Sequence, residues 1–183
     1  MPCPQPVPAR VRQLALLGGE SSGKTTLAHA LAEALGTVWV PEYGRQRWEE
    51  LRETLSVDEL MAIASHQVAL EDQAAVAAGG WLVCDTTPLT TLQYCLHDHG
   101  QAPAALWALA RRRYELTVLC EPDFGFVQDG CRRDDDFRAR QHAWTVQQLT
   151  AMDVRWTSVH GPVSTRVAQV LQVLQALQAL DPL

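Results

Sequence analysis

A length of 183 residues bounds the chain to one domain, or one domain with a small appendage. With 47% hydrophobic and 20% charged residues it is neither a disordered chain, a coiled coil nor a collagen-like fibre. No apolar run approaches the roughly 18 residues a membrane span needs, and a net charge of 15 − 21 = −6 without a basic block makes a poor nucleic-acid binder, because phosphate neutralisation needs clustered cations.

Residues 1–10 are Pro-rich and read as a flexible tail with no signal-peptide core. Residues 12–17 read as a first strand and 24–35 as a helix. Residues 38–41 read as a second strand, buried on both faces. Ser56-Val-Asp-Glu59 is a capping box that opens a helix to about residue 78, where Gly79-Gly80 stops it. Residues 81–84 form a third strand ending at Asp85, followed by helices near 88–97 and 102–113. Arg111-Arg112-Arg113 is expected to solvate a helix end, and His97-Asp98-His99 to form a surface turn.

Residues 116–120 are a fourth strand. The polar stretch 121–136 is too long for an ordinary connection and reads as a lid, taken as about 121–140. A helix near 137–152, a strand at 156–159 and a last helix complete the chain. That helix carries Val163, Val167, Val170, Leu171, Leu174 and Leu177 on its core face. Strands alternating with helices define an α/β domain over residues 11–183, built on a parallel sheet.

The five cysteines are odd in number and form no CxxC, which argues for a reducing cytoplasm and against a disulfide framework or zinc site. Fourteen arginines accompany one lysine, Lys24. That position needs a compact ammonium that guanidinium cannot imitate.

Lys24 lies in Gly18-Gly19-Glu20-Ser21-Ser22-Gly23-Lys24-Thr25, which fits GxxxxGK[ST] between an apolar strand and a helix. The glycines let backbone N–H groups turn toward a phosphate, and the helix N-terminus adds partial positive charge. Lys24 is placed on the β and γ phosphates of ATP, and Thr25 on Mg²⁺, with Thr26 completing the nucleotide site.

Strand ends in a parallel sheet converge on the ligand crevice. Glu42 is therefore expected at the phosphoryl acceptor, with Arg45 gripping a phosphate or orienting Glu42. Asp85 ends an apolar strand in Walker B fashion and holds Mg²⁺, or alternatively substrate hydroxyls. The lid supplies Asp129, Arg132, Arg133, Arg138 and Arg140. On closure such arginines meet the transferring phosphate and exclude water, and Arg132 is assigned a catalytic part. Trp39 and Trp48 bracket Glu42 and are candidates to stack on a flat ring, with core packing the stronger reading for Trp39.

The P-loop, Glu42-Tyr-Gly-Arg45, His66-Gln67, Asp85-Thr86 with Thr90-Thr91, and Asp129-Gly-x-Arg132 together resemble the kinase domain of NadR proteins, from Leu14 to about Leu180. The resemblance implies a three-layer P-loop kinase fold: a five-stranded parallel sheet in order 2-3-1-4-5, helices on both faces, and an arginine-containing lid. It implies ATP-dependent phosphorylation of the 5′-hydroxyl of nicotinamide riboside to nicotinamide mononucleotide, with Tyr43 and Gln67 joining Glu42, Arg45 and Asp85 at the substrate. That family's DNA-binding and adenylyltransferase segments precede its kinase. With eleven residues before the first strand, neither is expected here. Pro41 stands where the family can place a stacking aromatic, for which Trp39 is the candidate substitute. The alternatives are a kinase for another nucleoside or small metabolite, and a P-loop ATPase or regulatory nucleotide-binding protein. No nucleic-acid or membrane partner is expected.

Overall fold

The computed structural model describes residues 11–52, 54–127 and 133–180. Its elements are β1 (Arg12–Leu17), α1 (Lys24–Leu35), β2 (Trp39–Val40), α2 (Tyr43–Leu51), α3 (Val57–Ala75), β3 (Trp81–Asp85), α4 (Pro88–His99), α5 (Ala104–Ala110), β4 (Leu116–Cys120), α6 (Asp135–Ala151), β5 (Trp156–Val159) and α7 (Val163–Leu180). The sheet is all parallel with order β2-β3-β1-β4-β5.

Every residue of β3 and β4 is buried, as parallel strands covered on both faces must be. On one face, Leu27, Leu31, Val170 and Leu174 of α1 and α7 pack on Leu14, Leu16 and Val118. On the other, helices α3 to α6 pack Ile63, Leu92, Leu106 and Leu149 against Leu17 and Leu119. All five strands end on one rim, so the P-loop, Glu42, Asp85, Glu121 and His160 leave the sheet on the same side.

Several expectations need correction. β2 is a two-residue edge strand, not a strand buried on both faces: it pairs only with β3, Trp39 is half-buried and Val38 is 39% exposed. Helix α2 is polar overall, with only Tyr43, Trp48 and Leu51 packing on the core. It is held by side-chain pairs one turn apart, Arg45–Glu49, Gln46–Glu50 and Arg47–Glu50. The capping box at Ser56 and Glu59 is present, but α3 ends at Ala75, before the Gly pair. Arg112 does not solvate a helix end. It is clamped by Glu71 at 3.1 Å and Asp72 at 2.5 Å.

Arg138 and Arg140 lie on helix α6, within the helix expected near 137–152, and Asp134 caps its start by accepting from the Phe137 N–H at 2.6 Å. His97-Asp98-His99 is not a surface turn. It is the last turn of α4, with His97 on the Phe137 ring and His99 Nε2 2.8 Å from the Leu55 carbonyl.

Candidate active site

The phosphate loop takes a shape that L side chains resist. Gly18 (φ 148°) and Gly23 (φ 80°) are left-handed in sense, and Ser21 joins them at φ 56°. Gly19 is required for a different reason. A Cβ there would lie 2.9 Å from the Arg138 carbonyl oxygen and from its Cγ, so α6 presses directly on the loop. Gly23 precedes the first residue of α1, whose opening N–H groups face the loop's concavity.

Lys24 folds back along the loop, its Nζ donating to the Gly18 and Gly19 carbonyls at 3.0 Å each. Thr25 Oγ1 donates to Asp85 Oδ2 at 2.6 Å, and Asp85 Oδ1 is buried with no hydrogen-bond partner. An orphaned carboxylate oxygen beside a threonine hydroxyl suits a hard divalent cation such as Mg²⁺. No cluster of three His, Cys, Asp or Glu exists among the described residues, so most of a cation's ligands would be phosphate and water oxygens.

A cavity of about 460 Å³ runs over this loop. It is lined by Ser21, Ser22, Gly23, Lys24 and Thr25 of the loop, by the polar Glu42, Arg45 and Tyr94, and by the apolar Trp48, Leu55, Leu60 and Ile63. Asp85 lies beneath it, 1% exposed, reached through Thr25. Glu42 is the N-cap residue of α2, yet its side chain makes no capping bond. Burial pushes its carboxyl above the ordinary value, opposed by Lys24 and Arg45 and assisted by Asp85 and Glu20. Burial likewise raises Asp85, against the Thr25 hydrogen bond and Lys24.

The α2 N-terminus is instead satisfied from α3: the Tyr43 N–H donates to Gln67 Oε1 at 3.0 Å. Gln67 is 2% exposed and does not line the cavity, and Tyr43 packs on His66 with ring centroids 4.2 Å apart. Both lie behind Glu42. Trp39 stacks on His29 at 4.1 Å and packs on the core, whereas Trp48 opens onto the cavity.

Glu20 ties the loop to its surroundings. Its carboxylate accepts from Tyr94 Oη at 2.8 Å and from the Arg133 N–H at 2.7 Å, while its own N–H donates to Gln141 Oε1 at 2.9 Å. Arg133 pairs with Asp98 and lies 4.8 Å over the Phe137 ring, so Asp98 lines the cavity too. Arg138 is buried and donates to the Phe124 carbonyl at 2.9 Å; Arg140 is exposed. Asp129 and Arg132 lie outside the described residues.

Asp98 and Arg166, like Tyr94, Leu55 and Ile63, are not singled out for this site by the sequence. Asp98 lay in a motif read as surface. Arg166 sits in register with Val170 and Leu174 at four-residue spacing, so a cation on the buried stripe of α7 was the available signal.

A phosphate loop at the end of β1, a carboxylate under its threonine and a second carboxylate across the cavity, on this sheet order, define a P-loop kinase architecture. The chain belongs to the AAA domain family, whose model matches residues 13–166. It is 34% identical over 133 residues to the trifunctional NAD biosynthesis/regulator protein NadR of Escherichia coli K12, an alignment covering 68% of this chain and 32% of that protein. The chain thus spans about a third of the length of the curated relatives it matches.

Among solved structures it superposes on a NadR protein in complex with NR, with a TM-score of 0.74 and 20% identity over 91% of this chain and 51% of that one. Thymidylate kinase from Candida albicans gives a TM-score of 0.67 at 15% identity, covering 92% and 93% of the two chains. The domain is NadR-like. No helix among the described residues is long and apolar enough to cross a membrane.

Proposed function

We propose that this chain transfers the γ-phosphoryl group of ATP to the 5′-hydroxyl of nicotinamide riboside, giving nicotinamide mononucleotide and ADP. One observation carries the reading. One cavity is lined by the phosphate loop, by Glu42 and by the apolar Trp48, Leu55, Leu60 and Ile63. A nucleoside kinase needs such apolar room for its acceptor beside the phosphates. Similarity to NadR proteins, one of them solved in complex with NR, supports nicotinamide riboside as the acceptor.

In this reading the loop N–H groups and Lys24 hold the β and γ phosphates. Thr25 and Asp85 would hold Mg²⁺, which would supply charge neutralisation for the transferring phosphates. Glu42 orients the acceptor hydroxyl and takes its proton as the new O–P bond forms and the bond to the ADP oxygen breaks. Trp48, Leu55 and Ile63 accept the flat ring of the nucleoside. Asp98 and Arg133, which pair with each other and line the cavity, keep water from the γ-phosphate.

The test is ADP release with MgATP and a panel of nucleosides. Nicotinamide riboside should stimulate ADP release most and yield its mononucleotide. Stimulation by another nucleoside alone would move the chain to that substrate, and acceptor-independent ADP release would make it an ATPase.

A further inference from the structure

Arg166 is among the most deeply buried side chains described, at 1% exposure, and it is a cation. Desolvating a guanidinium is costly unless its donors are met. Here they are. Nε donates to the Gly161 carbonyl at 2.8 Å, Nη1 to the Ser22 carbonyl at 2.7 Å, and Nη2 to the Glu121 carbonyl at 2.9 Å and to Asp123. Asp123 also accepts from the Gly161 N–H at 2.5 Å. The guanidinium lies 4.4 Å from the centroid of the Phe124 ring, and that ring is 3.2 Å from where a Cβ on Gly23 would stand.

Three segments distant in sequence therefore meet on one side chain: the phosphate loop, the exit of β4 and the turn from β5 into α7. The core does not demand it, since the neighbouring inward positions of α7 are Val170 and Leu174. The bond to Ser22 has a consequence for the loop. A trans peptide is planar, with C=O and N–H pointing in opposite directions. Pinning the Ser22 oxygen on the buried side turns the Gly23 N–H toward the cavity, which Gly23 lines.

We propose that Arg166 is a positioning residue for the nucleotide: with Asp123 it fixes the Ser22–Gly23 peptide in the orientation that presents a phosphate-binding N–H, and holds Phe124 against the loop. This rests on the ATP-binding part of the proposed function and not on the identity of the acceptor.

The experiment measures MgATP affinity of the full chain by calorimetry, with thermal unfolding in parallel, for Arg166→Lys, Asp123→Asn and a core control on the same helix, Val170→Ala. Lysine keeps the charge but cannot span the three carbonyls. Arg166→Lys should weaken MgATP binding by about tenfold or more, the size expected from a lost charge-assisted hydrogen bond. Asp123→Asn, the milder change if the lysine variant fails to fold, should weaken it by a smaller factor. Val170→Ala should lower the unfolding midpoint and leave affinity unchanged.

In turnover, KM for ATP should rise while KM for the nucleoside stays put, which a loss of folded protein cannot mimic. Unaltered MgATP affinity in both Arg166→Lys and Asp123→Asn, or an equal loss in Val170→Ala, would overturn the proposal. If the wild type binds MgATP but does not turn over nicotinamide riboside, the acceptor reading fails and this one stands. If the wild type binds no MgATP, both fail.

Discussion

Thr25 Oγ1 and Asp85 Oδ2 are joined by a 2.6 Å hydrogen bond that ties the first turn of α1 to the end of β3. Glu42 belongs to a different element, the N-terminus of α2, and lines the cavity that Asp85 only underlies. The two carboxylates therefore differ in what they can touch, and this separates their roles. Asp85→Asn should raise the Mg²⁺ concentration needed for half-maximal rate, because a neutral amide replaces a charged ligand. Glu42→Gln should keep MgATP affinity and lower turnover. General-base catalysis supplies about 10²–10⁴-fold, and a loose phosphoryl-transfer transition state favours the lower end. Mg²⁺ titrations of rate for both variants test it; a raised Mg²⁺ requirement in Glu42→Gln alone would reverse the assignment.

The pH dependence follows from the environment of Glu42. Burial, Asp85 and Glu20 raise its carboxyl above the ordinary 4.5, and Lys24 and Arg45 only partly offset them. A base must be ionised to accept a proton. The rate should therefore rise with pH through a limb above the usual carboxylate range, and Glu42→Gln should remove that limb. A limb of unchanged position in the variant would assign it to another group.

Lys24→Ala should abolish phosphoryl transfer, and Lys24→Arg should be nearly as damaging. Nζ fits between two carbonyls 3.0 Å away, and the loop cannot shift aside because the Arg138 backbone abuts Gly19. A planar fork has no room in that cradle. Near-normal turnover in Lys24→Arg would sink the claim that the chain's one lysine is there for its point charge.

These expectations show which signals a sequence carries. The phosphate loop and the capping box at Ser56 were readable because their chemistry is contiguous, with each residue fixed by neighbours a few positions away. The sheet order came with a family resemblance, since periodicity marks strands but not their neighbours. Helix α2 is hard to read because it is short and polar overall, with only Tyr43, Trp48 and Leu51 facing the core. Gln67 was placed at the substrate, yet its contact is with the Tyr43 backbone, a partner no local pattern encodes. The roles of Arg166 and Asp98 are not legible locally because their partners lie 144 and 35 residues away.

Glu71 on α3 is fully buried; its Oε2 accepts from Tyr114 Oη at 2.9 Å and lies 3.1 Å from Arg112, while Oε1 has no partner. Burial drives its carboxyl from 4.5 to about 7, with Tyr114, Arg112 and Gln67 pulling down and Asp72 pushing up. In the unfolded chain the proton leaves near 4.5; in the folded protein it stays until about 7. Between those values the unfolded state binds fewer protons, so this group makes stability fall as pH rises, and its effect levels off above 7. Integrated over the window, the loss is of order 3 kcal/mol. Glu71→Gln keeps an acceptor for Tyr114 and leaves Arg112 its pair with Asp72. Denaturant unfolding at pH 5, 6, 7 and 8 should show the wild type losing stability faster than the variant between 5 and 7, with parallel behaviour from 7 to 8. Stability curves that run parallel over the whole range would mean that Glu71 is already ionised at pH 5.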